Sequence, residues 1–265
     1  GERETPLPWS NVLANAGFGT IVSSAGSAFT WAGNSRENRL TPFANDPLTD
    51  PTGEAFFLRD EETGAVWGGT PAPLPRRPGD GRWVIRHAAG VTRYQHAVSG
   101  VTQELAVFVA TEDPVKLAVL TVTNTSNRRK RLSVFGYVEW RLGPPRSSEQ
   151  GFVVTDVDPT TGTMLAKNTY NSEFAEAVSF FRASLPATSY TGDRAGFIGR
   201  NRSLSTPAAL FRERLAGRTG AGLDPCAALQ VVVELEPGES RTIAFSLGQG
   251  RDYAHARELA ERYGE

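Results

Sequence analysis

The sequence predicts an all-β, antiparallel sandwich, and three observations carry that reading. Clusters of Gly, Pro, Asn, Asp and Ser recur about every 8–12 residues, the spacing of turns in sandwiches and barrels. The runs between them are short and rich in β-branched and aromatic residues, which suit a pleated, half-buried surface. Helical periodicity is confined to two short stretches. At 265 residues the chain can bury a sizeable core as one large domain, since all-β sandwiches of about 200–250 residues fold undivided.

In chain order, residues 18–22 and 28–31 read as a first strand pair. Residues 55–59 and 66–67 flank Asp60-Glu61-Glu62-Thr63-Gly64, whose polar and glycine content suits a hairpin loop. Residues 83–87, 92–98 and 102–109 continue as a meander, the last two joined by Ser99-Gly100. The strongest strands, 115–123 and 132–140, flank the polar connection 124–130. In the second, Leu132, Val134, Val138 and Trp140 fall on one face. Residues 152–155, 164–168, 177–182, 229–235 and 242–247 complete the array. One helix is expected at 207–215, with Pro207 in its first turn and Thr206 as its cap. A second is expected at 252–263, capped by Asp252, with Tyr253, Ala256, Leu259, Ala260 and Tyr263 at amphipathic spacing. The proline-rich stretch 71–79 reads as an extended surface crossing.

Composition excludes several function classes. Hydrophobic content of 39% with a net charge of −1 describes a folded chain rather than a disordered one. So small a charge gives no footprint for nucleic acid or an anionic membrane. No apolar run approaches the roughly 20 residues that span a bilayer. The charged start, Gly1-Glu2-Arg3-Glu4, has no secretory pattern, so a cytoplasmic location is expected. The single cysteine, Cys226, excludes an internal disulfide, and Asp224-Pro225-Cys226-Ala227 reads as a turn entering a strand, hence a packed thiol. His87, His96 and His255 have no zinc spacing. The run from Asp156 to Gly162 resembles a calcium loop, but its glycine comes one position late and no glutamate closes it; a surface turn is expected. Phosphate-binding glycine loops and a nucleophile elbow are missing from the sequence. No catalytic residue, metal or cofactor is therefore assigned.

The segment from Trp31 to Pro47 packs two arginines, two carboxylates, three asparagines and two aromatics into a run with neither helical nor strand period. Ordering so many polar groups gains little for folding, because each surrenders water. Such a loop suits a ligand rich in hydroxyls or negative charge, and carbohydrate fits. Its plainer reading is a long solvated connection. Arg36, Glu37, Asn38 and Arg39 are the polar candidates, since arginine forks hold hydroxyl pairs or phosphate. Trp31 or Phe43 offers an apolar face for a pyranose ring. Asp193, Arg194, Arg200 and Asn201 form a second candidate loop, with a structural turn as the alternative. His87 and His96 flank the Ala88-Ala89-Gly90 turn, where they would face each other with Glu104 on the next strand, a constellation suited to sugar epimerisation. The alternative is that both are half-buried strand residues.

Several motifs occur in a specific order: Pro8-Trp9-Ser10-Asn11-Val12, the segment Trp31 to Pro47, Gly53-Glu54-Ala55, Asp113-Pro114-Val115-Lys116, Tyr137-Val138-Glu139-Trp140-Arg141-Leu142-Gly143, Tyr190-Thr191-Gly192-Asp193-Arg194, Phe197-Ile198-Gly199-Arg200-Asn201 and Leu235-Glu236-Pro237-Gly238-Glu239. The chain thereby resembles the amino-terminal β-sandwich domain of the glycoside hydrolase family 94 phosphorylases, and most of all the phosphorylase-like region of cyclic β-1,2-glucan synthases. The resemblance implies an antiparallel β-super-sandwich of galactose-mutarotase-like architecture over residues 1–250. It also implies that residues 251–265 begin a helical linker to an (α/α) barrel beyond this chain. In that family the general-acid aspartate belongs to the barrel and phosphate itself attacks the glycoside. The implied role is therefore non-catalytic: packing on the barrel and shaping its sugar and phosphate site, with inorganic phosphate as co-substrate of the parent enzyme. Implied partners are a β-glucan or glucoside, the barrel, and a second copy in a homodimer. An autonomous carbohydrate-binding module, or an epimerase using His87 and His96, are the alternatives.

Overall fold

The computed structural model describes residues 5–76, 79–144 and 151–264. The charged start at 1–4, and Arg77 and Pro78 of the proline-rich crossing, lie outside the described residues. Strands β1 (Ser10–Ala14), β2 (Phe18–Ser23) and β3 (Ala28–Ala32) form a three-stranded antiparallel sheet. Next come β4 (Glu54–Asp60) and β5 (Val66–Gly68), followed by the meander β6 (Val84–Ala88), β7 (Val91–Val98), β8 (Val101–Val109) and β9 (Val115–Asn124). The chain continues through β10 (Lys130–Glu139), β11 (Val153–Val157), β12 (Met164–Asn168), β13 (Val178–Ala183), β14 (Ser189–Asp193) and the short helix α1 (Arg194–Ile198). A 3-10 turn (Ala208–Phe211), β15 (Pro225–Leu235), β16 (Ser240–Gly250) and helix α2 (Tyr253–Arg262) complete it. A five-stranded sheet has the order β14-β15-β10-β4-β5, and an eight-stranded sheet the order β11-β12-β13-β16-β9-β8-β7-β6.

The alternation in β10 decides how these layers pack. Leu132, Val134 and Val138 point into the main core, where they meet Leu105, Leu120, Ile243 and Phe245 of the eight-stranded sheet. Gly136 lies on the same face because a Cβ there would come within 2.7 Å of the Phe245 ring. Phe245 and Phe181 stack in that space, 5.8 Å apart. Burial of each such ring contributes roughly 1.5–3 kcal/mol. Phe135 and Tyr137, on the opposite face of β10, pack under α1 and the 3-10 turn with Phe57, Phe197 and Leu210. The five-stranded sheet is thus covered on both sides, which is why every residue of β4 is buried. The three-stranded sheet contributes Leu13, Phe18 and Val22 to the main core. Its outer face, which carries Val12, Ile21, Phe29 and Trp31, turns away from that core.

Most strands lie where the sequence places them, and the exceptions have local causes. In β1 only Leu13 is buried, and β14 is a polar edge strand, so neither carries an apolar alternation. Helix α1 is too short to show a period. The helix expected at 207–215 shrinks to the 3-10 turn at Ala208–Phe211, whose flanking residue Pro207 makes no side-chain cap; Thr206 is exposed and caps nothing. Helix α2 forms as expected, with the Asp252 carboxylate accepting the His255 N–H at 2.8 Å. Ala256, Leu259 and Ala260 pack on Val178 and Phe180, whereas Tyr253 stays outside.

Candidate functional site

Absence of a side chain at Gly19 shapes the site. Gly19 pairs with Trp31 across β2 and β3, and a Cβ there would lie 2.3 Å from the indole. Trp31 therefore lies flat on the outer face of the small sheet. Phe29, two residues back on the same face, stacks on Trp31 at 5.3 Å and on Phe43 at 4.7 Å. The result is a row of three rings: Phe29 is buried in the middle, Trp31 is partly exposed and Phe43 is exposed. Phe29 and Gly19 were missed from the sequence; period-two counting from Trp31 and the glycine opposite it were the signals that could have found them.

The arginines gather around Arg39, whose backbone bridges Trp31 and whose guanidinium reaches Phe43. Asn34 turns the chain by accepting the N–H groups of Arg36 and Glu37 at 2.9 and 3.0 Å. Arg36 stands in solvent, 82% exposed, and pairs with Glu37 at 3.2 Å, a contact worth at most about 1 kcal/mol. Arg39 is more fixed. Its Nε donates to the Ser35 carbonyl at 3.2 Å and its Nη1 to the Phe43 carbonyl at 3.4 Å. Its guanidinium sits 5.4 Å from the Phe29 ring centre, a cation–π contact. Partial burial lowers the Arg39 pKa, and the cations of Arg141 and Arg36 lower it further. Arg141, brought alongside by a short ladder in which its N–H donates to the Leu40 carbonyl at 2.8 Å, buries Nε and Nη1 without a hydrogen-bond partner among the described residues. Arg39 therefore sits among two further cations, Arg141 and Arg36, and the carboxylate of Glu37.

Asn38 belongs to a different environment from its neighbours. It is 2% exposed, and its amide donates to the Ala32 carbonyl at 2.9 Å and to Gln249 Oε1 at 2.7 Å. Gln249 in turn donates to Ser179 at 3.2 Å, so Asn38 fastens the polar loop to β13 and β16. It anchors the loop and does not face solvent.

The second candidate loop divides in the same way. Asp193 is buried and receives Arg218 at 2.7 Å. Arg194 bridges Glu139 at 2.8 Å and Asp224 at 2.9 Å. Burial works against charge on Arg194, but the Glu139 and Asp224 carboxylates outweigh it and hold its pKa above the usual value. Those two residues tie β14, α1 and the start of β15 together. Arg200 and Asn201 lie exposed on the following turn, Asn201 with a left-handed φ of 59°.

His87 and His96 do not face each other. His87 pairs with Thr92 and bonds its hydroxyl at 2.9 Å, while His96 sits opposite Gln103, several residues further along β7. His96 lies on the inner face, stacked on Trp83 at 4.1 Å, whereas Glu104 lies opposite Gln95 and pairs with Arg93 on the outer face. The strand alternation that separates Gln95 from His96 therefore keeps Glu104 off the histidine face, and both histidines are wholly or partly buried strand residues, the second of the two readings above. Burial lowers the pKa of both histidines. Cys226 is fully buried, its Sγ 3.7 Å from the Thr191 carbonyl, and desolvation pushes its thiol well up. Asp158 anchors its turn by accepting the Thr160 N–H and hydroxyl. Among the described residues no helix is long and apolar enough to cross a membrane.

Comparison with known proteins agrees with this architecture. Residues 1–265 match the supersandwich domain of glycosyl hydrolase 94. The chain is 35% identical over 262 residues to the cyclic beta-(1,2)-glucan synthase NdvB of Rhizobium meliloti (strain 1021), covering 98% of this chain and 9% of that protein. It is 26% identical over 264 residues to the N,N'-diacetylchitobiose phosphorylase of Vibrio furnissii, covering 98% of this chain and 33% of that protein. The chain thus spans a third or less of the length of these relatives. Among solved structures, a bacterial glucoamylase complexed with acarbose matches at a TM-score of 0.55 and 9% identity, covering 99% of this chain and 36% of that one. A galactose mutarotase related enzyme from Lactobacillus acidophilus matches at 0.51 and 8%, covering 91% and 97%. The chain belongs to the glycosyl hydrolase 94 supersandwich family.

Proposed function

We propose that this chain is the non-catalytic, carbohydrate-associated domain of a β-glucoside phosphorylase or glucosyltransferase, and that it packs on a catalytic helical barrel. Its outer face, with Trp31, Phe43, Arg36, Glu37 and Arg39, shapes the sugar and phosphate site of that barrel. Inorganic phosphate is the parent's co-substrate in this reading, and a second copy in a homodimer and a cytoplasmic setting fit it. Helix α2 is the start of the linker. The observation that carries the proposal is the aromatic row capped by Arg39: an open ring face beside a fixed guanidinium is what a pyranose with neighbouring hydroxyls requires.

A site completed by another domain leaves the isolated chain with only part of its contacts. Its affinity for sophorose and longer β-1,2-glucans should then be about millimolar or weaker, roughly −4 kcal/mol. Calorimetry on the isolated chain measures this. Micromolar affinity would instead make it an autonomous binding module. Turnover of β-linked glucosides, with or without phosphate, would overturn the non-catalytic role.

A further inference from the structure

Phe43 has a second side. Beyond it, the 43–51 loop and the outer face of the small sheet enclose a cleft of about 440 Å³, within the range of about 300–1,000 Å³ typical of small-molecule sites. Its floor is apolar, made by Ile21, Phe29 and Phe43. Its rim carries Asp46 and Asp50 beside the hydroxyls of Ser10 and Ser27, and among the described residues neither lysine nor arginine lines it. The Asp46 carboxylate accepts the Thr49 hydroxyl at 2.6 Å and the Leu48 N–H at 2.9 Å, bonds that lower its pKa below the ordinary value. Asp50 accepts the Ser23 hydroxyl at 2.6 Å. Both rim carboxylates are thus set in place by the protein's own donors.

The cleft therefore differs in charge from the cluster around Arg39: Asp46 and Asp50 line it, whereas Arg36 and Arg141 flank Arg39 and none of these three arginines lines the cleft. Carboxylates repel anions and accept hydrogen bonds from hydroxyls, so an occupant of the cleft carries no negative charge and is rich in hydroxyl donors. We propose that this cleft is a subsite for an uncharged pyranose unit, the neighbour of a sugar residue held at the Arg39–Trp31 platform. The inference rests on the reading of that platform as sugar-facing. It adds that the ligand is a glycan of at least two rings and that negative charge on the cleft-side ring is excluded.

The test is a ligand-observed NMR titration of the chain with glucose, sophorose and a β-1,2-linked trisaccharide. Dissociation constants should fall by about tenfold between one ring and the longer sugars. Ser10→Trp, which fills the cleft from the exposed end of β1, should abolish that gain while leaving glucose binding unchanged. Pro47→Trp fills it from the opposite rim and serves if Ser10→Trp disturbs folding. Asp46→Asn combined with Asp50→Asn should admit a disaccharide whose second ring is a glucuronate, raising its affinity severalfold relative to sophorose. Length gain that survives both tryptophan variants, or glucose binding with no length gain in the wild type, overturns the cleft. Loss of length gain in Ser10→Trp with glucose binding indifferent to Arg39→Gln keeps the cleft and overturns the platform. Failure of every sugar to bind overturns both.

Discussion

Gly19 shows how far the platform depends on one missing methyl group. A side chain there would overlap the Trp31 ring, so Gly19→Val must lift the indole off β2. Overpacking of this kind costs about 1–3 kcal/mol, and the chain should remain folded while sugar affinity falls. Tryptophan emission, compared with Trp31→Phe, and a sophorose titration check this; an unchanged indole environment would refute it. Asn38 and Arg39 are adjacent but should respond in opposite ways. Asn38→Ala strands Gln249 and the Ala32 carbonyl, and should destabilise the chain by about 1–3 kcal/mol. Arg39→Ala loses an exposed-side clamp and a cation–π contact, about 1 kcal/mol, but should lower kcat/KM of a full-length parent by tenfold or more. Urea unfolding of both variants, beside the fully buried control Trp140→Ala at about 3–5 kcal/mol, separates anchor from contact. An Arg39→Ala loss as large as that of Trp140→Ala would make Arg39 structural.

At the scale of elements, sequence legibility follows from where apolar alternation exists. Strand β10 could be read because Leu132, Val134 and Val138 serve one core and Phe135 and Tyr137 another. β1 and β14 could not, since their stability comes from pairing and from neighbours rather than from an apolar face. The polar loop was legible as a unit, but its composition could not show that Asn38 turns inward, because its partner Gln249 lies 211 positions away. The element-level surprise is a buried polar junction. Lys116 of β9 meets Glu54 of β4 at 2.6 Å, and the hydroxyls of Thr20, Thr30 and Thr41 complete the set. One network thus joins all three sheets and the base of the polar loop. Truncating one partner of such a pair leaves the other charged and unpaired, so Lys116→Met should cost about 3–5 kcal/mol. Glu54→Gln in the same chain should recover part of that loss. A loss in the double variant equal to the sum of the two single losses, measured by chemical unfolding, would show that the pair is not coupled.

The whole molecule carries its titratable groups in a way that makes stability depend on pH. His96 donates Nε2–H to the Gly81 carbonyl at 3.1 Å, stacks on Trp83, and buries Nδ1 with no partner among the described residues. Protonation would place a charge on this half-buried ring, so burial lowers its pKa below 6.5, and His87 is lowered by the same cause. Below that value the unfolded chain binds protons that the folded chain refuses. Stability from these groups is therefore fully present above about pH 6.5 and is lost as pH falls toward the folded values, at no more than about 1.4 kcal/mol per pH unit for each histidine. Asp158 and Asp113 act lower down. A hydrogen bond from Thr160 lowers the first; burial opposes the charge on Asp113, but bonds from Arg262 and Tyr263 outweigh it. Their contribution is present above the ordinary carboxylate range and disappears in acid. Two descending steps are expected, one beginning near neutrality and one below about pH 4. Urea midpoints measured from about pH 8 to pH 3 should resolve them. His96→Phe keeps a ring against Trp83 and removes one titration, so the first step should shrink while the acid step stays. If the variant falls in parallel with the wild type between pH 7 and 5, His96 is not a buried neutral histidine and the first step has another origin.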